Sequence, residues 1–162
     1  MPGVYLGLGS NIDPENNLRL GVRELSQRFG DLVISRTYQS SAVGFEGPDF
    51  LNLAVGLETS ATPRDIHDQI DAIHKLAGRQ VGAARLLSRP LDIDLLLYGD
   101  LIVEAPPVHL PRADILEYSF VLRPLVEIAP DLIHPEVGRS LQDLWEEFDA
   151  TAQPLTPVDI GL

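Results

Sequence analysis

The sequence predicts an α+β sandwich with the βαββαβ order of ferredoxin-like folds: an antiparallel sheet, helices on one face, and C-terminal additions. Three observations carry this. Strand-like and helix-like segments follow one another in that order from Val4 to Tyr98. Apolar residues recur at period two in the former and near 3.6 in the latter. Glycine, proline and asparagine punctuate each change. With 162 residues, 44% of them hydrophobic, the chain suffices for one sizeable core, so residues 1–162 are expected to form a single domain.

Val4 to Gly9 reads as a strand ending in a turn-prone Gly9-Ser10-Asn11. Asp13 as N-cap and Pro14 at the first helical position open a helix. Its buried face holds Leu18, Val22, Leu25 and Phe29, and Gly30 stops it. Leu32 to Tyr38 alternates weakly as a strand, residues 40–49 form a Gly/Pro loop, and Phe50 to Leu57 is the antiparallel partner across it. Thr62-Pro63-Arg64-Asp65 starts a second helix, with Ile66, Ile70, Ile73 and Ala77 facing inward and Gly78 closing it. Residues 79–90 show no periodicity and read as a loop over a site. A strand follows from Asp92, then a short Leu101-Ile102-Val103 segment, a proline-rich turn, a helix through Val121 to Leu125, and a last helix capped by Ser140. Residues 154–162 are an edge strand or a frayed tail.

The net charge of -12 opposes a general attraction to nucleic acid or anionic lipid. Zero cysteines exclude disulfides and thiolate metal ligation and accord with a reducing compartment, so a cytoplasmic location is expected. No signal-like N-terminus and no apolar run of membrane-spanning length is present.

Arg89-Pro-Leu-Asp-Ile-Asp-Leu95 concentrates the chemistry. A spacing of two on a strand puts Asp92 and Asp94 on one side, where two like charges are costly to ionise without a cation between them. A hard, oxygen-seeking ion such as magnesium answers that need. Two exposed turn carboxylates would give the same pattern. Lys75, Arg79, Arg85 and Arg89, four of the twelve lysines and arginines, crowd into residues 75–89. They suit a compact anion, or equally a solvated loop. Phe50 and Phe120 taken singly read as core, and Asn52 inside an apolar run needs a hydrogen-bonding partner. The four histidines share no metal-binding spacing and read as surface or loop residues.

Tyr5-Leu-Gly-Leu-Gly-Ser-Asn11, Phe50-Leu-Asn-Leu-Ala54, Arg89-Pro-Leu-Asp-Ile-Asp-Leu95 and Phe120-Val-Leu-Arg-Pro-Leu-Val-Glu-Ile-Ala-Pro130 stand in that order across most of the chain. In this the sequence resembles the 6-hydroxymethyl-7,8-dihydropterin pyrophosphokinases of folate biosynthesis. The resemblance implies transfer of pyrophosphate from ATP to the pterin hydroxymethyl oxygen, giving AMP, in a monomer that acts on small molecules. It implies two magnesium ions on Asp92 and Asp94, and phosphate contacts from Arg79 and Arg89. It also implies a pterin pocket in which Phe50 and Phe120 stack on either side of the ring and Asn52 reads its edge, with Ser40, Ser41 and Val43 from the loop. The chain departs from the family where Arg112 replaces a nucleotide-site histidine and Tyr118 an arginine; Arg112 and Arg85 are the candidates to restore nucleotide contacts. These departures keep open a homologue that binds pterin or nucleotide without catalysis. A magnesium-dependent phosphohydrolase is weaker, since no base for activating water stands out.

Overall fold

Alternation sorts the first strand, β1 (Gly3–Ser10), into two faces: Val4, Leu6 and Leu8 are fully buried on one side, while Tyr5, Gly7 and Gly9 point to the other. In this computed structural model, residues 3–42, 47–78 and 90–162 are described. Helix α1 (Pro14–Phe29) follows, with Leu18 and Leu25 buried against the sheet, and Gly30 ends it at φ 87°, a conformation in which a side chain would be strained. Asp13 occupies the expected cap position, yet its carboxylate caps no backbone N–H. At φ 43° the residue turns away from the helix, and the Asn16 side-chain amide donates to both carboxylate oxygens.

Strands β2 (Val33–Ile34) and β3 (Thr37–Ser40) divide the weakly alternating segment, and β4 (Phe50–Glu58) pairs antiparallel with both, as expected across the loop. Helix α2 (Pro63–Leu76) starts at Thr62, whose hydroxyl accepts from the Asp65 N–H at 3.1 Å. Then come β5 (Asp92–Tyr98), a hairpin of β6 (Val103–Ala105) and β7 (Val108–Leu110), the short α3 (Asp114–Glu117), α4 (Ser119–Ile128) and α5 (Leu141–Glu147). Ser140 caps α5 through the Asp143 N–H. Strand β8 (Thr156–Val158) pairs with β3, so the tail supplies an edge strand. Neither β7 nor α3 is signalled in the sequence: three or four residues are too few for a period to show.

The main sheet runs β5-β1-β4-β3-β8, with antiparallel neighbours throughout. Helices α1 and α2 bury one face around Leu6, Leu18, Leu25, Leu53, Ile66 and Ile73. The opposite face is divided. Helix α4, backed by α5, covers the end holding Ala54, Leu96 and Leu97, with Leu122 and Leu125 at the centre of this second core. Glu127 ties α4 down by accepting from the Arg36 N–H at 2.6 Å and the Tyr38 hydroxyl at 2.7 Å. Burial and that carboxylate raise the Tyr38 pKa. The other end of this face carries the candidate site. Among the described residues no helix is long and apolar enough to cross a membrane.

Candidate active site

Register brings the sequence motifs into one row. Gly9 pairs with Asp92 on one side and Asn52 on the other, and Asn52 pairs with Tyr38. Gly7 stands opposite Asp94. Strands lie about 4.8 Å apart, so the backbone of Asp92 is roughly 10 Å from that of Asn52 across β1. All these residues share the sheet face that α4 covers only in part, with Tyr38 under the helix and Asp92 and Gly9 toward the uncovered end. Gly9 puts no side chain of its own between Asp92 and Asn52, so a trough separates carboxylate from amide there, while the Leu96 side chain lies over Gly7, 3.3 Å from where a Cβ would stand. An added Cβ on Gly9 would stand 3.0 Å from Asn52 Oδ1 and 3.7 Å from a Phe50 ring carbon. From the sequence Gly7 reads as a strand residue and Gly9 as the start of the turn-prone end, both within the Tyr5–Asn11 motif, with no role in the site for either.

Asn52 is buried, and the partner it needs is protein: its Nδ2 donates to Ser40 Oγ at 2.7 Å and, at the limit of hydrogen-bond geometry, to the Tyr38 carbonyl at 3.5 Å. This fixes the amide and directs Oδ1 toward Gly9. Phe50 opens β4, half-buried beside it. Phe120 lies in the first turn of α4 and is stacked by Tyr118, centroids 5.0 Å apart and planes inclined 21°. Thus Tyr118 braces the Phe120 ring. Ser41 is exposed, next to β3. Val43, Arg79, Arg85 and Arg89 lie outside the described residues.

Asp92 and Asp94 are half-buried on β5, with buried Ile93 between them pointing into the helical core. Arg112 places Nη2 at 3.7 Å from Asp94 Oδ1 and 3.7 Å from Asp114 Oδ2. These are ion-pair separations rather than hydrogen bonds, so the guanidinium balances two carboxylates without being locked to either. The oxygen-only donor pair, part-open beside a trough, suits a hard divalent cation whose remaining ligands come from phosphate and water. Among the described residues, the only group of three or more close metal-ligand side chains is elsewhere: His67, Asp68 and Asp71 on the outer face of α2. There Asp71 lies 3.5 Å from His67 Nδ1, one turn along the helix.

The backbone of the aspartate strand is itself held. Ser10, fully buried, donates its hydroxyl to the Pro90 carbonyl at 2.5 Å, just ahead of Asp92. Two histidines read as surface or loop residues are in fact buried. His74, 6% exposed, accepts from the Ile93 N–H through Nε2 at 2.8 Å. His134, 1% exposed, accepts from the Glu136 and Val137 N–H groups through Nδ1 at 3.2 Å each, and burial lowers its pKa. A lone histidine without motif spacing carries no signal for this in the sequence. His109, in the β6–β7 hairpin, stays exposed and meets Glu104 at 2.8 Å.

A family model described as 7,8-dihydro-6-hydroxymethylpterin-pyrophosphokinase matches residues 5–130. The chain is 37% identical to the 2-amino-4-hydroxy-6-hydroxymethyldihydropteridine pyrophosphokinase of Synechocystis sp., over 99% of this chain and 82% of that one. It is 34% identical to the Aquifex aeolicus protein of the same name, over 91% and 92%. In fold it is similar to crystal structures of Plasmodium falciparum HPPK-DHPS, with a TM-score of 0.72 at 13% identity over 90% of this chain and 44% of that longer one. Matched along most of its length at this level of identity, the chain belongs to the 7,8-dihydro-6-hydroxymethylpterin-pyrophosphokinase family.

Proposed function

We propose that this chain transfers the pyrophosphoryl group of ATP to the hydroxymethyl oxygen of 6-hydroxymethyl-7,8-dihydropterin, releasing AMP. The observation that carries this reading is the row Asp92–Gly9–Asn52, which sets a cation-binding carboxylate pair and a buried amide on two sides of a trough one strand wide. Asn52 Oδ1 accepts from the pterin ring edge, with Phe50 and Phe120 as apolar walls and Ser40, Ser41 and Val43 completing the pocket. Asp92 and Asp94 hold the two magnesium ions. When bound, they would offset charge on the transferred group. Arg112 is already poised beside Asp94 and turns its donors to the nucleotide phosphates, together with Arg79, Arg85 and Arg89. Positioning and charge neutralisation supply most of the acceleration in such transfers, so a separate base is not required. A monomer and a cytoplasmic location belong to the same proposal, on the acidic surface and the cysteine-free sequence.

The test is a preparation supplied with ATP, magnesium and the hydroxymethyl pterin, monitored for AMP. Asp94→Ala should lower turnover by about a thousandfold, corresponding to on the order of 4 kcal/mol of charge stabilisation, with pterin affinity retained. Absence of AMP from folded protein would refute the reading. Equal loss of turnover and pterin binding in Asp94→Ala would make that carboxylate structural.

A further inference from the structure

We infer that His74 is a positioning residue for the Asp92/Asp94 pair. The inference rests on the reading of that pair as the site that holds the magnesium-bound nucleotide. Among the described residues β5 ends the sheet, so every second backbone N–H and C=O along its outer edge meets no strand there. Near the aspartates that edge is held at two points. The Ile93 N–H, in the residue between the two carboxylates, donates to His74 Nε2 at 2.8 Å. Two residues past Asp94, the Leu96 carbonyl accepts from the Arg112 N–H at 3.0 Å. Asp94 is thus bracketed by one side-chain tether and one loop tether.

The chemistry of the first tether is specific. A backbone amide only donates, so Nε2 must present its lone pair and the ring proton sits on Nδ1. Lysine or arginine at this position would set a donor against a donor. The ring comes from the last turn of α2, whose Ile70 and Ile73 are anchored in the core, and it is buried itself. Ile93 in turn buries its side chain in that core and pairs with Leu8 of β1. The backbone between the carboxylates is therefore fixed from three directions, which sets the spacing and direction of both side chains before any ligand binds. Preorganisation of this kind acts on ligand affinity at the carboxylates and leaves the pterin pocket, one strand beyond, untouched.

The test compares His74→Leu, which deletes the acceptor, with His74→Gln, whose amide oxygen reaches about as far as Nε2. Magnesium is titrated at fixed ATP, the pterin KM is measured separately, and amide exchange of Ile93 is followed by NMR. In His74→Leu the magnesium needed for half-maximal turnover should rise about tenfold, the order expected from one unsatisfied buried amide, with the pterin KM unchanged and Ile93 exchange faster. His74→Gln should restore most of each. Wild-type magnesium dependence in folded His74→Leu overturns the inference, as does a loss spread equally over magnesium and pterin. If His74→Leu fails to fold, His74→Asn, whose shorter amide cannot reach Ile93, gives the same comparison. The ring 15N shifts of the wild-type protein decide independently: a proton on Nε2 refutes the tether. Asp94→Ala measured alongside separates the two readings. If it keeps full turnover, the reading of the carboxylate pair as the magnesium-nucleotide site fails; if it loses turnover while His74→Leu is silent, only the role of His74 does.

Discussion

Replacing Gly9 by alanine probes the trough directly. Gly9 lies in a regular strand, so its backbone accepts a side chain and only space decides the outcome. The new Cβ would stand 3.0 Å from Asn52 Oδ1, 3.7 Å from Phe50 Cδ1 and 3.9 Å from the Leu51 carbonyl oxygen. Asn52 must yield by a few tenths of an ångström, and its amide is pinned at 2.7 Å to Ser40. Weakening that bond costs about 1 kcal/mol, whereas replacing a strand glycine by alanine returns about 0.5–1 kcal/mol of chain entropy. Folding stability should thus change by less than about 1 kcal/mol. Binding has no such offset: the amide has moved and a methyl group fills the floor between Asn52 and the carboxylates. A loss of about 1 kcal/mol of ligand interaction corresponds to a roughly fivefold weaker pterin Kd. Calorimetric titration with the hydroxymethyl pterin, paired with urea unfolding, reads both quantities. Gly9→Ala protein that binds pterin as tightly as wild type would refute the assignment of this trough to the substrate.

Gly21→Ala should destabilise the fold by about 1 kcal/mol in urea unfolding: the Cβ would lie 3.1 Å from Leu8 Cδ2 and 3.2 Å from Leu91 Cδ2, both buried, and overpacking exceeds the helix-propensity gain of about 1 kcal/mol. A stabilised variant would show that helix and sheet pack less tightly here. Tyr118→Ala should raise the pterin KM severalfold by removing a stack of about 1 kcal/mol behind Phe120, while Tyr118→Phe keeps it and neither changes the KM for ATP; an unchanged pterin KM in Tyr118→Ala counts against the brace. His134→Asn should flatten the acid side of the stability curve. Burial lowers the folded pKa of His134 below its ordinary 6.5, so the unfolded chain binds the extra proton; the contribution is present above about pH 6.5 and is lost as pH falls from there toward the folded value. Asparagine keeps an acceptor for the Glu136 and Val137 N–H groups without titrating. Denaturation midpoints of both proteins at several pH values below 7 make the comparison, and parallel curves would exclude the histidine as the source.

Elements with a clear period or a capping signature were legible in the chain: β1, α1, β4, α2 and β5 fall where alternation, helical spacing, Thr62 and the glycine stops put them. The hairpin strand β7 and the one-turn α3 were not, because their form comes from the edge of β5 and the end of α4 rather than from local pattern. The Asp13 cap failed for a local reason of another kind: its left-handed backbone turns the carboxylate away from the helix. The histidines misread for want of motif spacing owe their burial to partners distant in the sequence or to a tertiary pocket. His74 meets an amide nineteen residues on.

By itself the sequence determined the order of strands and helices, the paired carboxylates two apart on one strand, and the family to which the motifs point, since each is encoded in residues within a few positions of one another. Only the tertiary structure decided which motifs meet. Gly9, Asp92 and Asn52 fall in one row because hydrogen-bond register aligns three strands distant in the chain, and a slip of one residue would send the carboxylates or the amide to the opposite face. Likewise, Tyr118 on Phe120, Arg112 beside Asp94 and His74 beneath Ile93 are products of packing, set by where a side chain finds room and a partner once the sheet has closed.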